Sequence, residues 1–142
     1  MKPGSIFIAL ALLSLITGCS TTRPDQQRAA ADDKRSPETV LITYHVKPGK
    51  EEELERVLAD VWIIYRREHL VFAQPHVIAR ANDGPDKTRF IEIFTWVSHS
   101  APESVPASVN KLWDQMHSLC EPRDGHPNLD GGEVDLVTPR TH

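Results

Sequence analysis

The sequence predicts an α+β domain of the ferredoxin-like, split βαβ type, in which an antiparallel sheet carries two helices on one face. Three observations carry that expectation. Apolar runs of period two alternate with runs of helical period in the order β-α-β-β-α-β between residues 39 and 138. A dense turn separates the two central strands and marks a hairpin. Both faces of the third strand are apolar, so one face needs the chain's own helices and the other needs a further cover.

The elements follow in order. Thr39 to Val46 is rich in β-branched and aromatic residues and ends at Lys47-Pro48-Gly49-Lys50, a strand and a turn. Leu54, Val57, Leu58, Val61, Trp62 and Tyr65 then form one stripe at helical spacing, opened by Glu51, Glu52 and Glu53 and closed by Arg66, Arg67 and His69. Acidic start and basic end both complement the helix dipole. Leu70 to Ala81 reads as a second strand, with Pro75 pointing to a sheet edge or a bulge. Asn82-Asp83-Gly84-Pro85-Asp86 is the hairpin turn and Thr88 to Val97 the third strand. Ser100 and Glu103 have capping-box spacing, and Val109, Leu112, Trp113, Met116 and Cys120 repeat the helical stripe from about Pro106. Residues 125–132 read as irregular, and Glu133 to Val137 as a short fourth strand before a tail at 139–142.

On the third strand Phe90, Phe94 and Trp96 share one side, and Ile91, Ile93 and Val97 the other. A second copy covering the second side is the expected solution, a homodimer that closes two sheets into a dimeric α/β barrel.

The chain has 142 residues, with 16 Lys and Arg against 20 Asp and Glu for a net charge of -4. One domain fits that length, and the acidic balance gives no support to nucleic-acid binding through phosphate neutralisation. Residues 1–18 read as a secretory signal, with Lys2 ahead of the apolar run Ile6 to Ile16. That run is too short to cross a hydrocarbon core. Ile16-Thr17-Gly18-Cys19 resembles a bacterial lipobox, which implies cleavage before Cys19, acylation of that residue and attachment to a lipid bilayer. Residues 19–38 have no apolar period and read as a flexible tether, holding the domain on the order of 25 Å from the lipid. The implied location is the cell envelope, on the periplasmic face of the outer membrane in a Gram-negative cell. With Cys19 lipidated, Cys120 has no disulfide partner, and its place on an apolar stripe makes it a buried structural thiol.

Tyr44-His45-Val46-Lys47-Pro48-Gly49-Lys50-Glu51-Glu52-Glu53-Leu54 resembles the first strand and helix entry of the antibiotic-biosynthesis-monooxygenase-like (ABM-like) family of dimeric α+β barrels. Phe94-Thr95-Trp96-Val97-Ser98, Ala101 and Val109 to Met116 resemble that family's third strand and second helix. The resemblance covers Val40 to Val137. It implies a ligand cavity between sheet and helices, and members include cofactor-independent oxygenases of phenolic or quinol substrates as well as haem-degrading enzymes. The haem-degrading branch resembles an Asn, Trp and His constellation, of which only Trp96 stands here. Ile42 occupies the Asn position, and the His position falls near Asp114 and Gln115.

By parity with Trp96, the side chains of Ile42, Tyr44, Phe90, Glu92 and Phe94 point to that cavity, and Trp113 and His117 approach it from the second helix. An apolar, aromatic lining with a few polar groups suits a small aromatic ligand. Cofactor-independent oxidation needs a base for a phenolic substrate, and Glu92 and His117 are the candidate catalytic residues. The alternative is a silent binding or interaction module in which these side chains are packing, and haem binding is a third reading. None of the seven histidines shows ligand spacing such as His-Glu-x-x-His, so the sequence predicts no metal site.

Overall fold

The computed structural model describes residues 34–137. The predicted signal peptide, Cys19, the tether up to residue 33 and the tail 139–142 lie outside the described residues. Strands β1 (Glu38–His45), β2 (Val71–Asn82), β3 (Thr88–Trp96) and β4 (Leu129–Glu133) form one antiparallel sheet in the order β2-β3-β1-β4. Helices α1 (Glu51–Arg67) and α2 (Ala107–Leu119) complete the β-α-β-β-α-β order, with a 3-10 turn at Ala101–Ser104 ahead of α2. The α+β ferredoxin-like expectation holds.

Local chemistry explains most boundaries. Gly49 sits at φ 76°, where a side chain is strained, and lets the Lys50 N–H reach the Lys47 carbonyl at 3.1 Å. This reversal turns β1 directly into α1, whose buried stripe is Leu54, Val57, Leu58, Val61 and Tyr65. The helix ends where His69 takes a left-handed conformation at φ 55°, bringing the Leu70 N–H to the Tyr65 carbonyl at 2.9 Å. Pro75 lies on edge strand β2, and the pairing of β2 with β3 is irregular between Val71 and His76. Both sequence readings of that proline, edge and bulge, are therefore met.

Two local expectations fail. Ser100 forms no side-chain cap, because the 3-10 turn closes backbone bonds of i to i+3 type and the Glu103 N–H is taken by the Ser100 carbonyl at 3.1 Å. The fourth strand is Leu129–Glu133, where residues 125–132 were expected to be irregular and 133–137 to be the strand. Its pairing runs from Val40↔Glu133 through Ile42↔Gly131 to Tyr44↔Leu129. The reason is close approach: a Cβ on Gly131 would lie 3.1 Å from the Leu41 carbonyl oxygen and 3.4 Å from Ile42 Cγ1. Residues that look like turn formers are here the ones small enough to lie against β1.

Register fixes the faces. Tyr44↔Phe90, Ile42↔Glu92, Val40↔Phe94 and Glu38↔Trp96 stand side by side on the face under the helices. There Tyr44, Phe90, Phe94 and Trp96 pack with Leu54, Leu58, Val61, Val109 and Met116 into the core. The opposite face carries Leu41, Ile91 and Ile93, half-buried, and Val77, which is 50% exposed. His45 also lies on that face but is buried, covered by the segment that returns from α2 to β4. Arg123 anchors this segment by donating to the carbonyls of Thr88 at 3.0 Å and Val46 at 2.7 Å. Cys120 is buried at the end of α2, and burial pushes its thiol up to about 12, so it is a protonated structural cysteine.

Candidate functional site

Between the sheet and α2 lies a cavity of about 150 Å³ lined by Ile42, Tyr44, Tyr65, Trp96, Trp113, Met116, His117 and Leu129. Five of these, Ile42, Tyr44, Trp96, Trp113 and His117, are residues the sequence placed there. Strand parity brings Ile42 and Tyr44 to the floor. Helical spacing brings Trp113, Met116 and His117 to the roof, since positions three and four apart share a face. The indole N–H of Trp113 donates to the Tyr65 hydroxyl, which ties α2 to α1 and fixes the ring as a wall. Phe94 is not part of the lining. It is 1% exposed and packs edge-on against Trp96, with ring centroids 5.0 Å apart, and against Tyr65. It is a core residue that holds the wall in place.

Glu92 is not in the lining either; it lies behind Tyr44. The Tyr44 hydroxyl donates to Glu92 Oε2 at 2.8 Å, and His76 Nε2 stands 3.0 Å from Glu92 Oε1. The Glu92 side chain is 3% exposed and that of His76 18%. A carboxylate only accepts, so Nε2 carries the proton in this pair. Trp62 of α1 stacks on the His76 ring at 3.5 Å between centroids and 12° between planes, fixing the imidazole in position. The result is a hydrogen-bonded array that runs from the cavity wall at Tyr44, through a buried carboxylate, to a partly exposed histidine on the edge strand. Burial, and then the charge of Glu92, raise the Tyr44 hydroxyl well above the ordinary tyrosine value. Tyr44 therefore stays protonated and serves as the donor to Glu92.

His76 escaped the sequence reading. The hairpin register runs unbroken from Asn82↔Thr88 to His76↔Phe94 and could have placed it on the Phe94 face; the irregularity lies beyond it, towards Val71. Tyr65, Met116 and Leu129 were also missed as wall residues, though the first two lie on stripes read as packing.

His117 lines the cavity from α2, where the sequence reading put it. Asn128 Nδ2 stands 3.1 Å from both the His117 carbonyl oxygen and ring Nδ1. An amide N–H can donate to Nδ1, which leaves Nε2 as the ring nitrogen outside this pair.

The cavity opens beside a larger groove of about 330 Å³ over β1 and β4, lined by residues that include Val40, Pro102, Gly131 and Gly132. Ile42, Trp96 and Leu129 belong to both walls.

No protein-family model matches the chain, and no curated protein matches it. Solved structures do. SnoaB, a cofactor-independent oxygenase from Streptomyces nogalater, overlays with a TM-score of 0.53 at 17% identity, over 73% of this chain and 96% of that one. A point mutant of SnoaB gives 0.55 over the same shares. A protein from Caulobacter crescentus CB15, named as a candidate antibiotic biosynthesis monooxygenase, overlays at 0.53 with 14% identity, over 77% of this chain and 99% of that one. What they share with this chain is the fold. The domain from β1 to β4 has the architecture of these monooxygenase-like proteins, and residue roles have to be argued from its own side chains.

Proposed function

We propose that this domain binds a small aromatic molecule bearing a phenolic hydroxyl and oxidises it with dioxygen without a bound cofactor. The observation that carries the reading is the Tyr44-Glu92-His76 array, which joins an aromatic cavity to the outside through a buried carboxylate. A substrate hydroxyl set against Tyr44 Oη would release its proton to that oxygen as the Tyr44 proton moves to Glu92. The resulting phenolate is electron-rich enough to reduce dioxygen. A ring C–H then becomes a carbonyl, with one oxygen atom kept in the quinone and the other leaving as water with the two hydrogens lost. Trp96, Trp113 and Tyr65 would stack or edge-pack on the ring, and the His117 Nε2–H would donate to an oxygen on it. The oxygenase overlay supports this reading at the level of fold.

Oxygen uptake with a bicyclic phenol such as 1-naphthol tests it. Glu92→Gln is expected to lower uptake at least about tenfold, a modest share of what acid-base catalysis contributes. Uptake that is absent in the parent, or unchanged in the variant, would remove the assignment.

A second reading is favoured by size, because 150 Å³ is below the range of roughly 300–1,000 Å³ usual for small-molecule sites. On that reading the domain binds and does not turn over, and the same phenol raises the melting temperature with no oxygen consumed.

The protein is placed in the cell envelope as a lipoprotein held by acylated Cys19, a reading supported by the sequence pattern before that residue. It is taken to act as a homodimer, supported by Leu41, Ile91, Ile93 and Val77 on the sheet face that the helices leave open. Fatty-acid labelling lost in Cys19→Ser checks the first of these. Sedimentation of the delipidated protein as a monomer at high concentration would overturn the second.

A further inference from the structure

We infer that Glu38, His99 and Glu133 form a site for a divalent transition-metal ion at the mouth of the groove over β1 and β4. One ligand atom from each of the three lies within 4.8 Å of the others. Glu38 opens β1, Glu133 closes β4, and His99 follows β3, so three chain segments far apart in sequence converge at one corner of the sheet. The corner is built, not incidental. The His99 N–H donates to the Ser36 carbonyl at 3.0 Å, and its ring Nδ1 stands 3.0 Å from Glu38 Oε2. Register holds the two glutamates together, because Glu133 pairs with Val40, two residues along the same face from Glu38.

Two carboxylates this close repel one another, and among the described residues neither has a Lys or Arg within ion-pair distance. Even with a protonated imidazole between them the trio keeps one net negative charge. A divalent ion reverses that balance. One imidazole with two carboxylates is a donor set suited to zinc, manganese or iron, and three protein ligands leave the open position typical of reactive rather than purely structural sites. Glu38 and Glu133 both line the groove of about 330 Å³, together with Trp96 and Ile42. The open position therefore adjoins an apolar trough that would take a small ligand's anionic group to the metal. The exposed Glu133 side chain can close the remaining distance to an ion held by the other two. Sequence spacing hides this site because its residues fall in no local motif.

The site stands independently of the reading of the inner cavity, from which His99 and Glu133 are absent. The test is calorimetric titration of the full chain with zinc chloride alone, read beside its melting temperature. One equivalent bound and a raised melting temperature are expected. Glu133→Gln and His99→Ala are expected to weaken binding at least about tenfold each, since even outer-shell changes at metal sites cost that much. His126→Ala, which removes an exposed histidine paired with Asp130, should bind as the parent does. No binding by the parent would overturn the site, and so would undiminished binding by Glu133→Gln, whose exposed position leaves folding intact. Loss on His126→Ala instead would move the ion elsewhere and overturn it equally.

Discussion

The two halves of the sheet's helical face are filled in different ways. Over β2 and β3, Phe90, Phe94 and Glu92 alternate in register and meet Leu54, Leu58 and Val61 from α1 with almost no exposure. Over β1 and β4 the same face carries Ile42 beside Gly131, and there the cavity and groove lie. Both halves are antiparallel pairings, and what differs most on this face is side-chain volume. A strand that supplies aromatic rings makes a core, and a strand that supplies glycine leaves room for a ligand.

The contrast is sharpened most strongly by truncation. Phe90→Ala in the filled half is expected to cost about 3–5 kcal/mol. Met116→Ala on the cavity wall should cost about 2 kcal/mol, because a side chain beside an existing void has fewer neighbours to lose. Denaturant unfolding of both variants measures the difference, and equal losses would mean that the hollow half is packed as tightly as the other.

The next largest effect comes from filling the hollow. Gly131→Val presses a branched side chain against Ile42, which lines the inner cavity as well as the groove, so 1-naphthol affinity should fall about tenfold, equivalent to roughly 1.4 kcal/mol. Stability should fall as well, since the Leu41 carbonyl must give way. Unchanged affinity would place the ligand outside this region.

The smallest effect concerns pH and uses the opposite face as the reference. Burial, with Arg123, His126 and Arg89 nearby, lowers the His45 imidazole below its ordinary value of 6.5. The unfolded chain then binds the proton more readily than the folded one. His45 therefore adds stability that is complete above pH 6.5 and is lost as pH falls from there through the folded value. Unfolding midpoints should decline on acidification below 6.5, and His45→Gln should flatten that part of the curve. An unaltered curve would assign the acid sensitivity to other groups.

Much of this arrangement could be read from the chain. The stripe from Leu54 to Tyr65 and the alternation of β3 revealed the buried face of α1 and the parity that sends Ile42, Tyr44 and Trp96 to one cavity. Three features could not be read, each for a physical reason. The fourth strand was expected at Glu133 to Val137, whereas close approach to β1 selects Leu129 to Glu133, with Gly131 against Ile42. His76 shares the Phe94 face by hairpin register, but its bond to the buried Glu92 and its stack on Trp62 are tertiary contacts that no strand pattern shows. Glu92 had the right face but the wrong depth, because only the register Ile42↔Glu92 and the reach of Tyr44 put the phenol in front of the carboxylate.

The stack of Trp62 on His76 gives the molecule an optical reporter of its own. Trp62 is the indole in direct contact with the outer end of the array, so a change at His76 reaches it first. The other two tryptophans, Trp96 and Trp113, border the cavity and sense an arriving ring instead. The array and the cavity thus adjoin different chromophores, and replacing one indole at a time with phenylalanine separates their signals without any added dye.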